Sequence, residues 1–241
     1  DQPFGKHMAF LIGALDGDPG LVTAPPLPAL PATVDAARGK AAVAFLRRTN
    51  LPIEPRKKWP DGGMPNYRLK GLIAPEHQLQ PGKALCVWGD AGWGSLVRQG
   101  KYHDLHFSDD LVAACVKMVQ NWNPQPAPAW VTCIPSLSHP GLVPEFAAKL
   151  ATALGLPFRE AIRKVRATEP QKAMQNSATQ ARNLDGAFRV DAEAMLRGPC
   201  LLVDDLVDSK WTMTVAGALL RQAGCPCVFP FALADSSRAS G

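Results

Sequence analysis

The chain has 241 residues, and 46% of them are hydrophobic, which is enough for the core of one domain of about 100–150 residues and a smaller unit. No apolar run reaches about 18 residues, and no basic stretch precedes an apolar one near the start, so we expect neither a membrane span nor a signal peptide. The net charge of +5 is uneven, because residues 33–101 hold 12 Lys/Arg against 5 Asp/Glu while the rest holds 14 against 16. This basic stretch indicates a polyanion as a partner.

The cysteine spacing indicates reduced thiols. Six cysteines are present, four of them in apolar segments that are typical of small core residues. Cys225-Pro-Cys227 is a CxC and not the CxxC pair of structural zinc sites. We therefore predict a cytoplasmic protein with reduced cysteines and no zinc, with a metal or disulfide role as the alternative. The chain starts at Asp1 and not at Met, so we expect it to be a piece of a longer protein.

The first predicted unit covers residues 1–32. Its apolar residues 4–15 predict a short helix. Residues 19–32 are rich in proline and have no periodic pattern, which is typical of a linker or an extended wrap.

The second predicted unit, residues 33–107, is a basic α+β connecting module. Thr33 is placed to cap a helix that runs to about Arg48. Short apolar runs over residues 69–98 are separated by turns with glycine, which indicates a small β element. Between these lies a basic, turn-rich segment with four candidates for holding nucleic-acid phosphates and stacking on a base, namely Arg56, Lys57, Lys58 and Trp59.

Residues 108–241 are predicted to form an α/β domain. Ser108 precedes two aspartates and an apolar face of Leu111, Cys115 and Met118, a pattern that predicts a helix. The further predicted elements are a strand at 130–134, a helix at 142–154, a charged strand at 158–166, a polar segment at 167–188, a strand at 200–203, a helix at 212–223 and a strand at 228–234. This alternation of strands and helices favours a parallel sheet with crossover helices.

The segment LLVDDLVDSKWT, residues 201–212, carries the chemistry. A buried strand brings Asp204 and Asp205 to its C-terminal end, where open α/β sheets bind their ligands. Two adjacent carboxylates repel each other, so both stay ionised only beside a cation or hydroxyl donors; ribose hydroxyls and Mg²⁺ both meet this need. The following turn has the Ser209 and Thr212 hydroxyls and leads into a helix, and such a turn can hold a phosphate with its backbone N–H groups.

This segment resembles the signature of type I phosphoribosyltransferases. TCIPSLSHP (132–140) stands where that fold has its pyrophosphate loop, after the first strand of the domain. VRATEPQ (165–171) and ARNLDGAF (181–188) are similar to the hood segment of the ComF-like branch. The three motifs occur in the family's order and cover roughly residues 130–235, so the resemblance implies the parallel-sheet fold of this family.

A wider resemblance covers nearly the whole chain. The segments IEPRKKWP, WGDAGWG and QKAMQNSATQARNLDGAF, together with the motifs above, are similar to the C-terminal part of bacterial RecQ-like ATP-dependent DNA helicases that end in a phosphoribosyltransferase-like domain. The resemblance implies DNA as a partner and helicase motor domains upstream. The cysteine cluster that the family usually carries before this region has no counterpart in residues 1–32.

The resemblance also implies roles for individual residues. Asp204 and Asp205 would bind the ribose hydroxyls and, indirectly, Mg²⁺, and Asp208 would be a candidate general base. The 5′-phosphate loop would consist of Ser209, Lys210, Trp211 and Thr212. The pyrophosphate loop would consist of Ser136, Leu137, Ser138 and His139. The hood would supply the cations Arg166, Lys172 and Arg182.

The sequence departs from the family pattern at Lys210, where the phosphate loop has a glycine. If this position needs a positive φ, lysine is strained there. We therefore expect an accessory domain that binds phosphoribosyl pyrophosphate, a nucleotide or a DNA phosphate. The alternatives are an active Mg²⁺-dependent transferase that releases pyrophosphate and a structural domain with a non-functional pocket.

Overall fold

A computed structural model describes residues 51–90, 92–168 and 177–238. The helices predicted at 4–15 and 33–48 lie outside the described residues. The strands are Leu51–Ile53 (β1), Gly82–Val87 (β2), Trp130–Cys133 (β3), Ile162–Lys164 (β4), Phe188–Val190 (β5), Cys200–Val207 (β6) and Val228–Asp235 (β7). The helices are Trp93–Gln99 (α1), Asp109–Trp122 (α2), Leu142–Leu154 (α3), Ser177–Asn183 (α4) and Trp211–Gln222 (α5).

Five of the described strands form one mostly parallel sheet. Their order is β1-β2-β7-β6-β3. The edge strand β1 pairs antiparallel with β2, and all other pairs in this sheet are parallel. The strands β4 and β5 form a separate antiparallel pair. The predicted α/β class with a parallel sheet and flanking helices is therefore confirmed.

Both faces of the central strands are covered. In β6, Cys200 and Leu202 belong to one buried cluster, and Leu201 and Val203 belong to the other. The helices α2 and α3 cover one face, and α5 covers the other together with residues 53–79. This double burial explains why β6 has no apolar–polar alternation in the sequence.

Local signals predicted two helices well. The Ser108 hydroxyl accepts a hydrogen bond from the N–H of Leu111 at 3.4 Å and caps α2, as expected for serine at this position. Helix α3 ends at Gly155, which has a φ of 70°, a left-handed conformation that suits glycine best.

The small β element predicted over residues 69–98 is present only in part. Strand β2 lies in this range, and it belongs to the main sheet, where it pairs in parallel with β7. The segment around Ser95 is helical, in α1. Helix formation is favoured there because Asp90 Oδ1 accepts hydrogen bonds from the N–H groups of Gly92 (2.9 Å) and Gly94 (2.8 Å).

Strand β6 is longer than predicted. It continues from Val203 to Val207, because its pairing with β7 extends as far as Val207 opposite Asp235. The acid pair therefore lies in the C-terminal half of the strand.

All six cysteines are free and buried. In the described part of the chain, no helix has the length and apolar character needed to cross a bilayer.

Candidate functional site

A cleft of about 400 Å³ lies at the carboxyl end of the sheet. Its walls come from the end of β6, the turn into α5, the loop after β3, the β4–β5 pair and a turn that follows α1. Of the residues predicted for the site, six line this cleft: Ser138, Asp204, Asp205, Asp208, Lys210 and Thr212.

The acid pair is buried at the base of this cleft. Asp204 is 8% exposed and Asp205 is 6% exposed. Asp204 Oδ1 accepts a hydrogen bond from the N–H of Asp205 at 2.9 Å. The pKa of Asp204 is raised well above its usual range. Burial is the larger cause, and the neighbouring charge of Asp205 is the second.

The cation beside this pair is Lys101, which sequence reasoning missed. Its Nζ lies 2.5 Å from Asp205 Oδ2, and both side chains are largely buried. Lys101 belongs to a π-helical turn, Gly100–Asp104, that directly follows α1. No local signal could have indicated it, because 104 positions separate the two partners in the chain.

The turn after β6 has the backbone conformation that the family's glycine would provide. Lys210 has a φ of 69° and stands at the N-cap of α5, where its carbonyl accepts the N–H of Thr214 at 3.0 Å. Lysine therefore occupies a left-handed conformation that costs L-residues energy. The Lys210 and Thr212 side chains line the cleft, whereas Trp211 is buried in the core.

Two of the predicted nucleic-acid contacts, Arg56 and Trp59, support the turn after β6 from the protein side, so base stacking on the buried Trp59 ring is not supported. Arg56 Nε and Nη2 donate to the carbonyl of Ser209 at 3.1 and 3.0 Å. The guanidinium also lies 5.0 Å from the ring centre of Trp211. Trp59 is 3% exposed and stacks on Trp211 with 6.5 Å between ring centroids.

The other two of these candidates, Lys57 and Lys58, are exposed. Lys58 forms an ion pair with Asp61 at 3.3 Å. A nucleic-acid contact through these two lysines stays a prediction.

The predicted pyrophosphate loop lies beside the acid pair. It follows β3, whose Cys133 is opposite Val203 of β6. The Ser136 and Ser138 hydroxyl oxygens lie 3.1 Å apart, and the N–H of His139 donates to Ser136 Oγ at 3.3 Å. Ser138 lines the cleft, and Leu137 is 53% exposed.

Two predicted hood cations hold protein backbone and do not line the cleft. Arg166 Nη2 donates to the carbonyls of Asn183 (2.8 Å) and Asp185 (2.9 Å). Arg182 Nη2 donates to the carbonyl of Asp61 at 3.0 Å. A contact of these two arginines with pyrophosphate stays a prediction, and Lys172 lies outside the described residues.

Lys164, at the end of β4, is a cation that does line the cleft. Burial lowers the pKa of Lys164, and the negative charge of Asp204 opposes this shift. Its Nζ lies 6.0 Å from the ring centre of Phe188. The sequence placed Lys164 in a charged strand, but only the pairing with β5 shows which charged residue faces the cleft.

Residues 185–188 are hydrogen-bonded to the segment around Tyr67. The Asp185 carboxylate accepts the N–H groups of Asn66 (3.0 Å) and Tyr67 (3.3 Å). The Tyr67 hydroxyl donates to the carbonyl of Phe188 at 2.9 Å and accepts the N–H of Phe188 at 2.6 Å. These bonds hold β5, and through it β4 with Lys164, against the rest of the fold.

A further buried acid, Asp235, ends β7 at the same edge of the sheet. Its Oδ1 accepts the N–H (2.9 Å) and hydroxyl (2.6 Å) of Ser237, and its Oδ2 accepts Nε of Arg238 at 3.1 Å. These partners satisfy both carboxylate oxygens, so Asp235 holds the turn after β7.

The acid pair is a poor set of direct ligands for Mg²⁺. Asp205 Oδ2 is taken by Lys101, and Asp204 Oδ1 is taken by a backbone N–H. Among the described residues, no group of three or more His, Cys, Asp or Glu side chains is arranged to hold a metal. The expected Mg²⁺ therefore stays a prediction.

The fold and the cleft define an α/β protein with a mostly parallel sheet and an acid pair at the carboxyl end of a central strand. No protein-family model matches the chain, and no curated protein matches it. Among solved structures, one adenine phosphoribosyltransferase is 16% identical, with a TM-score of 0.36 over 53% of this chain and 71% of that one.

A second solved structure, the adenine phosphoribosyltransferase from Leishmania tarentolae, is 13% identical, with a TM-score of 0.35 over 53% of this chain and 69% of that one. Likeness at this level concerns the fold only.

Proposed function

We propose that the cleft binds a 5-phosphoribosyl group, as part of phosphoribosyl pyrophosphate or of a nucleotide. The proposal depends on one observation: the Asp204–Asp205 pair and the turn from Lys210 to Thr212 line the same cleft. The first feature suits a diol and the second suits a phosphate. A ribose 5-phosphate has both groups within one small molecule.

The acid pair is suited to the ribose hydroxyls. Carboxylate oxygens are strong acceptors, and a hydroxyl donor to a buried carboxylate replaces the water that burial removes. Asp204 and Asp205 are adjacent in the extended strand β6. Their shared burial in the cleft supports a ligand that donates two hydrogen bonds.

The turn into α5 is suited to the phosphate. Helix α5 has 12 residues, and its first N–H groups and positive dipole end favour an anion. The left-handed residue Lys210 precedes it, a combination that can arrange successive N–H groups around an anion. Lys210 and Lys164 add two positive charges to the walls of the same cleft.

Direct binding tests this proposal. Isothermal titration calorimetry with phosphoribosyl pyrophosphate and with ribose 5-phosphate should show binding to the unaltered chain. Asp205→Asn should weaken the affinity by roughly 10- to 100-fold, because a charged hydrogen bond contributes about 1.5–3 kcal/mol. Asp110→Asn is the matched control, since Asp110 is exposed on α2 and does not line the cleft. Absence of binding to the unaltered chain would support a structural domain instead.

An active transferase is the second candidate function. It is favoured by Asp208, which lines the cleft three positions after the acid pair and could accept a proton from an incoming base. In that reaction the acceptor nitrogen bonds to C1 of the ribose while the bond from C1 to pyrophosphate breaks. Pyrophosphate release with a panel of nucleobases, lost in Asp208→Asn with ligand binding retained, would support it. Binding without release would support the accessory role.

The same proposal places this chain in a DNA repair helicase, as an accessory region behind upstream motor domains. The support is the sequence resemblance, together with the exposed Lys57 and Lys58. Binding to single- and double-stranded DNA should weaken as salt is raised. If Lys57→Ala with Lys58→Ala leaves DNA affinity and its salt dependence unchanged, these lysines are not the contact.

A further inference from the structure

The charge of the acid pair is compensated by the protein itself. Lys101 Nζ lies 2.5 Å from Asp205 Oδ2, and the two side chains are 19% and 9% exposed. Both residues line the cleft. The ammonium therefore occupies one of the carboxylate oxygens at which a divalent cation would bind.

The backbone around Lys101 is tightly held. Gly100 is buried, and a Cβ there would meet the carbonyl oxygen of His106 at 2.6 Å and a ring carbon of Phe107 at 2.8 Å. The N–H of His106 donates to the Gly100 carbonyl at 3.1 Å, which closes the turn. This packing fixes the backbone from which the Lys101 side chain reaches Asp205.

A metal ion would have to compete with this arrangement. Mg²⁺ prefers six oxygen ligands in octahedral geometry and takes carboxylates from the protein where it can. Asp205 Oδ2 already has the lysine, and Asp204 Oδ1 already has a backbone donor. A single lysine ammonium supplies positive charge without needing that ligand set.

We propose that the Lys101 ammonium takes the place of a divalent cation at the acid pair, so that the cleft binds a 5-phosphoribosyl ligand without metal. This inference rests on the function proposed above and specifies how that site neutralises its own charge. Lys101 acts as a positioning residue, because its ammonium holds the Asp205 side chain in place in the cleft.

The test measures the affinity for ribose 5-phosphate by calorimetry on the full chain, once with EDTA and once with Mg²⁺. The unaltered chain should bind equally, within about twofold, in both buffers. Lys101→Met should weaken binding by about tenfold or more in EDTA, because it leaves a buried carboxylate without its partner. Mg²⁺ should restore part of this loss, since Asp205 is then open to a cation.

Lys117→Met is the matched control, because Lys117 is exposed on α2 and does not line the cleft. It should bind like the unaltered chain in both buffers. Urea unfolding reports whether Lys101→Met is folded, with Lys101→Gln as a second variant. The comparison of EDTA with Mg²⁺ on the unaltered chain decides the question even if neither variant folds.

The outcomes separate this inference from the function on which it rests. Binding of the unaltered chain that requires Mg²⁺ overturns the inference and leaves the proposed function intact. Absence of binding in either buffer overturns both. A folded Lys101→Met variant that binds normally in EDTA, or that is weakened without any recovery in Mg²⁺, also overturns the inference.

Discussion

Replacing Lys210 by glycine should stabilise the protein. Lys210 has a φ of 69° and a ψ of −1° at the start of α5. An L-residue in this left-handed region loses roughly 1–2 kcal/mol relative to the right-handed one. Glycine has no such penalty, but its greater freedom in the unfolded chain costs about 0.5–1 kcal/mol. The difference predicts a net gain of about 0.5–1 kcal/mol in the free energy of unfolding.

Urea and thermal unfolding of Lys210→Gly measure this gain. For a chain of this size, we expect the midpoint of thermal unfolding to rise by about 1–4 °C. Two controls separate strain from other effects. Lys210→Ala removes the same charge but keeps a Cβ, so it should not gain stability. Lys117→Gly in the exposed face of α2 should lose about 0.5–1 kcal/mol.

The refuting result is a loss of stability in Lys210→Gly equal to that in Lys117→Gly. It would mean that the left-handed conformation is not a source of strain in the folded protein. If the lysine ammonium also contributes to anion binding, Lys210→Gly should bind ribose 5-phosphate more weakly while it unfolds at a higher temperature. Such opposite effects are typical of strain at a functional site.

Three further substitutions test the surroundings of the cleft. Arg56→Met should lower the free energy of unfolding, measured in urea, by about 2 kcal/mol, because the carbonyl of Ser209 loses its charged donors. An unchanged free energy of unfolding would mean that Arg56 does not stabilise this turn. Tyr67→Phe should cost about 1–3 kcal/mol, because it leaves the N–H and carbonyl of Phe188 without a partner, and a neutral effect in the same assay would count against it. Asp204→Asn should make the protein more stable than the unaltered chain near neutral pH, with a difference that shrinks as the pH falls toward the unfolded pKa. Burial raises the pKa of Asp204 in the folded state, so the folded protein loses stability as the pH rises and this carboxyl group ionises, whereas asparagine stays neutral. A stability difference between Asp204→Asn and the unaltered chain that stays constant across pH would contradict this.

The sequence was sufficient to predict features that depend on contacts between residues close together in the chain. Ser108 next to two aspartates determines where α2 begins, and Gly155 determines where α3 ends. The positive φ at Lys210 could also be anticipated, because the family pattern has glycine at that position. Such features depend on residues within one or two turns of the chain.

The position of the acid pair at a buried strand end could likewise be anticipated. The run from Cys200 to Val203 has no polar residue, which requires cover on both faces, and the two aspartates follow directly. The length of β6 could not be anticipated in the same way. It is decided by the partner strand β7, which continues to pair beyond the acids.

What only the tertiary structure decided is which distant residues meet at the cleft. Lys101 reaches Asp205 across 104 positions, and Arg56 reaches Ser209 across 153. In the sequence, nothing distinguishes Lys101 and Arg56 from the other basic residues. Only the folded sheet and its turns place these two next to Asp205 and Ser209. Charge pairing across such distances has no local pattern, because it depends on strand order and on the burial that excludes water from the pair.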